Sequence, residues 1–341
     1  MTTNVPNDYK KTQIQTATDT YTRHYPEIVR LAMKQLEEQL WFSSEMKVNL
    51  ERIQLKYELT EEQLHSVKFI LNLFVKYELM VGDMWKRIST LFPRPEVQLA
   101  CSVAEMVERA VHAEFYNQIN IELGLDKDED YRSFMYDPAT AERAKWLGEL
   151  LNSEDDPILS VIIFSMTETA LLFSFFSMLK SFQSNGYNKI PIIVRGTNQS
   201  AIDEDLHGMI TAEIINQYYR ELGFSLFDDK PRYREVVKAV HYALEIETSL
   251  IDRAIPGDSL NGVPKQEFKE MVKHRLNVYL ERLGLPHEFH IGECSIIDWF
   301  GKNTYSYKKI DFFTSGQGSE YQMRWDEHAL GSGFVKFMKG E

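Results

Sequence analysis

The chain has 341 residues, 43% apolar and 26% charged, a globular composition that excludes a collagen-like, mucin-like or disordered polymer. Lys and Arg number 38 against 51 Asp and Glu, a formal charge of −13 with no local basic patch, which argues against nucleic acid or an anionic membrane as partner. Two cysteines, Cys101 and Cys294, are too few for a disulfide framework or a zinc ribbon, and the polar start from Met1 to Asn7 lacks the order of a secretory leader. The expected setting is a reducing cytoplasm.

With only 17 Gly and 11 Pro, long helices are expected over many short strands, and no linker or repeat divides the sequence. A polar N-terminal arm, residues 1–25, leads to a helix over about Pro26 to Leu40. Thr60-Glu61-Glu62-Gln63 has the capping-box spacing and opens a helix to about Thr90. Phe92-Pro93-Arg94-Pro95 breaks the pattern before a third helix to about Leu123, and a shorter one covers Ala139 to Leu151. Pro157 suits a first helical turn, and Ile158 to Leu179 follows as an apolar run with one charge, Glu168. It is long enough to span a bilayer, but a lone Glu at its middle and the lack of a second such segment favour the centre of a soluble bundle. Ile190 to Val194 reads as a short extended link. Helices then cover about Ser200 to Gly223, Tyr233 to Ala254 and Pro264 to Leu283, before an irregular segment and a Gly-rich tail, Thr314 to Glu341. The class is all-α, one domain over 1–313 with a flexible tail over 314–341.

Four helices place ionisable groups on otherwise apolar faces. Glu78 has Phe74 at i−4, Leu71 at i−7 and Val81 at i+3; Glu168 has Phe164 at i−4 and Leu171 and Leu172 at i+3 and i+4. A carboxylate there must be paired, protonated or bound to a cation, because isolation costs several kcal/mol. Glu204-x-x-His207 puts a carboxylate and an imidazole on one face, and His112 follows Arg109 at i−3 and precedes Tyr116 at i+4. A dinuclear metal bundle needs one Glu from each of two helices and Glu-x-x-His from two others. Glu78, Glu168 and Glu204-x-x-His207 supply three of the four pieces; the fourth reads Arg109-x-x-His112.

These pieces, in this order, make the sequence similar to the small, radical-generating subunit of class I ribonucleotide reductase, from about Trp41 to Tyr321. Trp41-Phe42-Ser43-Ser44-Glu45 resembles the family's Trp-x-Pro-x-Glu motif, and Glu108 to Tyr116 its Glu-x-x-His-x-x-x-Tyr helix. Asp203-Glu204-Asp205-Leu206-His207 resembles its Asp-Glu-x-x-His helix, and Ser319-Glu320-Tyr321-Gln322 the start of its C-terminal tail. The resemblance implies a ferritin-like bundle, a homodimer, and a radical held or relayed at Tyr116. It further implies a Trp41, Asp203 and His112 relay, and Tyr321 as relay tyrosine on a tail whose end, Phe334 to Met338, docks in the large subunit. A flavoprotein activase is an accessory partner under the same resemblance. The rival readings are a dimetal oxidase or hydroxylase acting without a large subunit, which needs an open cavity near Leu172, and a non-enzymatic storage bundle.

Arg109 departs from the family pattern. Four carboxylates would balance two divalent ions, whereas Glu78, Glu168 and Glu204 with an always-protonated Arg109 leave a net −2. Two readings follow. If Arg109 faces the carboxylates, the site has reduced metal content or none, with a modified Tyr116. If a π-type distortion swings Glu108 inward and Arg109 outward, an iron or manganese pair is complete.

Overall fold

A computed structural model describes residues 11–132, 136–151 and 153–306, with the side chains of residues 75, 76, 78, 79 and 302–306 outside that description. The described residues pack around one core of helices. Helix α1 (Pro26–Lys34) continues through a π turn, Gln35–Gln39. Helix α2 (Glu61–Leu91) begins at the expected capping box: Gln63 N donates to Thr60 Oγ1 at 3.2 Å and Thr60 N to Gln63 Oε1 at 3.0 Å. Helix α3 (Pro95–Val107) reaches α4 (Ala113–Leu123) through a π turn at Glu108–His112, and Gly124, in the left-handed region at φ +69°, ends α4. Short α5 (Asp128–Tyr131) and α6 (Pro138–Leu151) follow.

The apolar run forms α7 (Pro157–Met166), the second π turn to interrupt a core helix, at Thr167–Leu171 after that at Glu108–His112, and α8 (Phe173–Lys180). By length and composition Pro157–Gln183 passes for a membrane span, yet it is covered on all sides by protein. Helix α9 (Pro191–Leu222) lies along α1, α7 and α8; α10 (Lys230–Ala254) packs on α11 (Lys265–Arg282), which also covers the second π turn. Between α10 and α11 sits a hairpin, β1 (Ser259–Leu260) with β2 (Val263–Pro264), turning at Asn261 and Gly262. Helix α12 (Ser295–Ser306) closes the described region.

Two details depart from the sequence-based expectations. The stretch Ile190 to Val194 is not an extended link: α9 starts at Pro191, with Ile190 left-handed at φ +43°. Its cap comes from far away in sequence, since Glu51 accepts from the Ile192 and Ile193 amides, the latter at 3.0 Å. The segment expected to be irregular contains α12. In the described part of the N-terminal arm, Ile14 is buried and its amide donates to Glu221 Oε2 at 2.9 Å. The tail over 314–341, with Tyr321 and Phe334 to Met338, lies outside the described residues.

Candidate metal centre

The π turn at Glu108–His112 decides which side chain faces inward. In an α-helix the residues at i−3 and i−4 sit about 60° and about 40° to either side of residue i. At the roughly 4.4 residues per turn of a π turn they sit about 115° and about 33° away. Relative to His112, Glu108 therefore stays on the interior face and Arg109 leaves it. Glu108 is fully buried, with Oε2 3.1 Å from His112 Nδ1 and Oε1 2.7 Å from His207 Nδ1. Arg109 lies across α2 at Gly82, where a Cβ would stand 2.8 Å from its Nε. Its guanidinium pairs with Asp83 at 2.6 Å and Glu105 at 3.0 Å. Of the two placements left open by the sequence, Arg109 takes the outward one: Gly82 leaves a slot for the stem, and two surface-side carboxylates receive the charge.

The second π turn carries Glu168, and α9 brings Glu204 and His207 to meet it. His207 Nδ1 lies 3.4 Å from Glu168 Oε2 and 3.6 Å from Glu204 Oε2; His112 Nδ1 lies 3.2 Å from Glu204 Oε1. One donor atom from each of Glu108, Glu168, Glu204 and His207 falls within 4.8 Å of all the others. Glu78 is on α2, and its side chain is outside the described residues.

The electrostatics of this cluster are strained without a cation. Burial disfavours charge on every member. On Glu108 that effect is overcome by His112 and His207, which hold the carboxyl well below its ordinary range. On both histidines burial is likewise overcome by the facing carboxylates, Glu108 foremost, and their pKa values rise. Glu168 is pushed well above its usual range by burial and by the charge of Glu204. Both oxygens of Glu168 and of Glu204 and both ring nitrogens of His207 lack an aligned hydrogen-bond partner among the described residues. Buried polar atoms of this kind require a partner. A mixed imidazole and carboxylate donor set suits iron or manganese, so the residues fit a metal centre.

Around the cluster the remaining expected residues take distinct places. Asp203 Oδ2 accepts from Trp41 Nε1 at 2.8 Å and lies 3.0 Å from His112 Nε2, giving a continuous path from indole to imidazole. His112 thus presents Nδ1 to the cluster and Nε2 to a carboxylate, the arrangement that fixes a ligating histidine. Tyr116 is fully buried, one turn beyond His112, its ring 4.8 Å from Phe74 and 5.1 Å from Phe115; the Phe74 ring in turn lies tilted 5.2 Å from Phe176. Two residues here were not picked out from the sequence. Gln35 donates to Asp203 Oδ1 at 2.8 Å from a π turn that an α-helical pattern does not reveal. Trp85 packs edge-on to His207 at 5.5 Å; its i+7 spacing from Glu78 was the available signal. Leu172 is buried, and a small void of about 20 Å³, room for about one water, lies by Tyr77, Met80, Arg143 and Leu147.

The protein has relatives of known family and fold. The family model "Ribonucleotide reductase, small chain" matches residues 18–294. A curated relative, a ribonucleoside-diphosphate reductase small chain of Arabidopsis thaliana, is 22% identical over 72% of this protein and 70% of its own length. Among solved structures, the ribonucleotide reductase R2 subunit of Clostridium botulinum is similar at TM-score 0.69 and 17% identity, over 82% of this protein and 88% of that one. The dimanganese(II)-NrdF of Streptococcus sanguinis gives 0.69 and 17% over 85% and 99%, and the Rnr4 homodimer of Saccharomyces cerevisiae 0.67 and 14% over 87% and 92%. With most of its length matched, the protein belongs to the ribonucleotide reductase small-chain family, the radical-generating subunits that serve a large catalytic subunit in making deoxyribonucleotides.

Proposed function

We propose that this protein binds a pair of iron or manganese ions through Glu78, Glu108, His112, Glu168, Glu204 and His207 and stores the oxidising equivalent on Tyr116. The observation that carries the reading is the exchange at the first π turn, with Glu108 inside and Arg109 outside. With Glu108 counted and Arg109 removed, four carboxylates balance two divalent cations. Glu78 is assigned from its sequence position, on the stripe of α2 marked by buried Phe74, Val81 and Trp85. The case for reduced or absent metal and a modified Tyr116 rests on Arg109 among the carboxylates, and loses that support.

When bound, the metal pair would supply the electron acceptor for the phenol, with dioxygen as the oxidant that recharges it. The protein's own groups do the rest. Phe74, Phe115 and Phe176 exclude water and reductants from Tyr116. Asp203, held by Gln35 and Trp41, orients His112 and bridges it to the indole, giving charge a hydrogen-bonded route away from the centre. Tyr321 and the tail over 314–341 carry that route to the large subunit, with Phe334 to Met338 as the apolar anchor; the support is their sequence pattern. The working form is a homodimer in the cytoplasm, with a flavoprotein activase as the accessory partner. Metal analysis and electron paramagnetic resonance (EPR) on the purified protein, followed by ribonucleotide turnover with a matching large subunit, test the proposal. Two metal ions per protomer and a tyrosyl signal are expected; an added oxygen on the Tyr116 peptide in metal-free, active protein would overturn it.

A further inference from the structure

A π turn frees helical carbonyl oxygens from their ordinary amide partners, and in a buried helix these oxygens must be met from elsewhere. At Thr167–Leu171 two arginines meet them. Arg275 of α11 donates from Nε to the Thr169 carbonyl at 2.8 Å, and Arg143 of α6 donates from Nη2 to the Leu171 carbonyl at 3.0 Å. Both arginines are buried, and each is anchored a second time near another part of the metal centre. Arg275 Nη2 donates to Asp205 Oδ1 at 2.8 Å, beside Glu204 on α9, where Arg282 Nη2 also donates at 2.7 Å. Arg143 pairs with Glu247 of α10 at 2.7 Å and lies over the Tyr77 ring, 4.3 Å from its centroid, one residue before Glu78.

We infer that Arg143 and Arg275 are positioning residues of the metal centre: by occupying the two carbonyls they hold the second π turn open and fix the direction of Glu168 relative to Glu204. Neither oxygen of Glu168 has an aligned hydrogen bond, so its backbone sets where it points. Closing the turn to an α-helix would rotate the backbone by roughly 100° per residue removed from the turn, taking the carboxylate off the site. The turn has no room to relax toward α9 either. A Cβ at Gly208 would stand 2.3 Å from Thr169 Oγ1 and 2.7 Å from Arg282 Nη1. Arginine suits the task because its planar fork serves a carbonyl and a carboxylate in fixed directions at once, which a lysine ammonium on a flexible stem does not.

The inference rests on reading the cluster as a metal centre, and one experiment separates the two. Full-length protein stripped by chelator is titrated with Mn(II), following the EPR signal of free ion, with helical circular dichroism as the fold control. Wild type takes up two ions per protomer. Arg275→Lys and Arg143→Lys keep the helical signal but lose about 10–100-fold in affinity for at least one ion, with an altered signal from the bound pair. Arg282→Lys, which contacts Asp205 but neither carbonyl, stays within about threefold of wild type. A folded Arg275→Lys protein with wild-type affinity and signal overturns the inference, as does an equal loss in Arg282→Lys. Should Arg275→Lys not fold, Arg143→Lys decides by the same criterion. Wild type that binds no Mn(II) refutes the metal centre itself.

Discussion

Helix α9 and the α3–α4 helix both deliver ligands to one centre, by different means. Helix α9 runs unbroken for 32 residues, and its Asp203, Glu204 and His207 reach the interior through ordinary helical spacing. The α3–α4 helix breaks into a π turn at the point where it supplies Glu108 and His112, and that break selects a glutamate over the arginine beside it. A regular helix lets sequence spacing dictate which group faces inward. A distorted one lets its surroundings choose, here Gly82, Asp83 and Glu105 drawing Arg109 away.

The largest effect expected from breaking this comparison is at Glu108. Glu108→Ala removes one of the two bound ions per protomer and the tyrosyl signal with it, measured by metal analysis and EPR; two ions retained would show that the π turn does not select the ligand. Tyr116→Phe separates storage from binding: the radical signal is lost while both metal ions stay. Asp203→Asn tests the regular helix, lowering metal affinity or large-subunit-dependent turnover by about 10–100-fold through misorientation of His112.

Smaller effects sharpen the contrast. Lys180 ends the helix after the second π turn and donates to Asn198 of α9 at 2.7 Å; burial lowers its pKa from 10.5 to about 7. Between those values the unfolded state holds the proton and the folded state releases it, so stability rises with pH across that window, by at most about 1.4 kcal/mol per unit. Lys180→Met removes that rise, as urea unfolding at pH 7, 8 and 9 will register. The smallest effect is at Arg109, whose ion pairs lie toward solvent. Arg109→Ala should cost less than about 1 kcal/mol and leave the metal content unchanged; a variant that gains or loses a bound ion would place Arg109 back in the site.

The same contrast explains what was legible in the sequence. Glu204-x-x-His207 and the apolar neighbours of Glu168 announced themselves because α9 and α7 keep helical period up to the site, whereas Asp203 was marked only by the family resemblance. The Thr60 box likewise marked the start of α2 from four adjacent residues. Glu108 against Arg109 stayed open because one extra residue in a turn leaves no trace in hydrophobic spacing. The true start of α9 was hidden for another reason: its cap, Glu51, lies about 140 residues upstream, so Ile190 and its β-branched neighbours looked extended. Arg143 and Arg275 sit on helices of mixed polarity, and nothing local distinguishes an arginine that crosses to a backbone oxygen from one that meets water.

A turn carrying one surplus residue also has a genetic consequence. Losing a single codon between Glu108 and His112 would restore ordinary winding, leave the flanking helices docked where they are, and set the same glutamate at i−3 on the inward face. The carboxylate ligand would then survive gain or loss of the surplus residue, one short mutational step apart, with the scaffold inherited intact on either side of it.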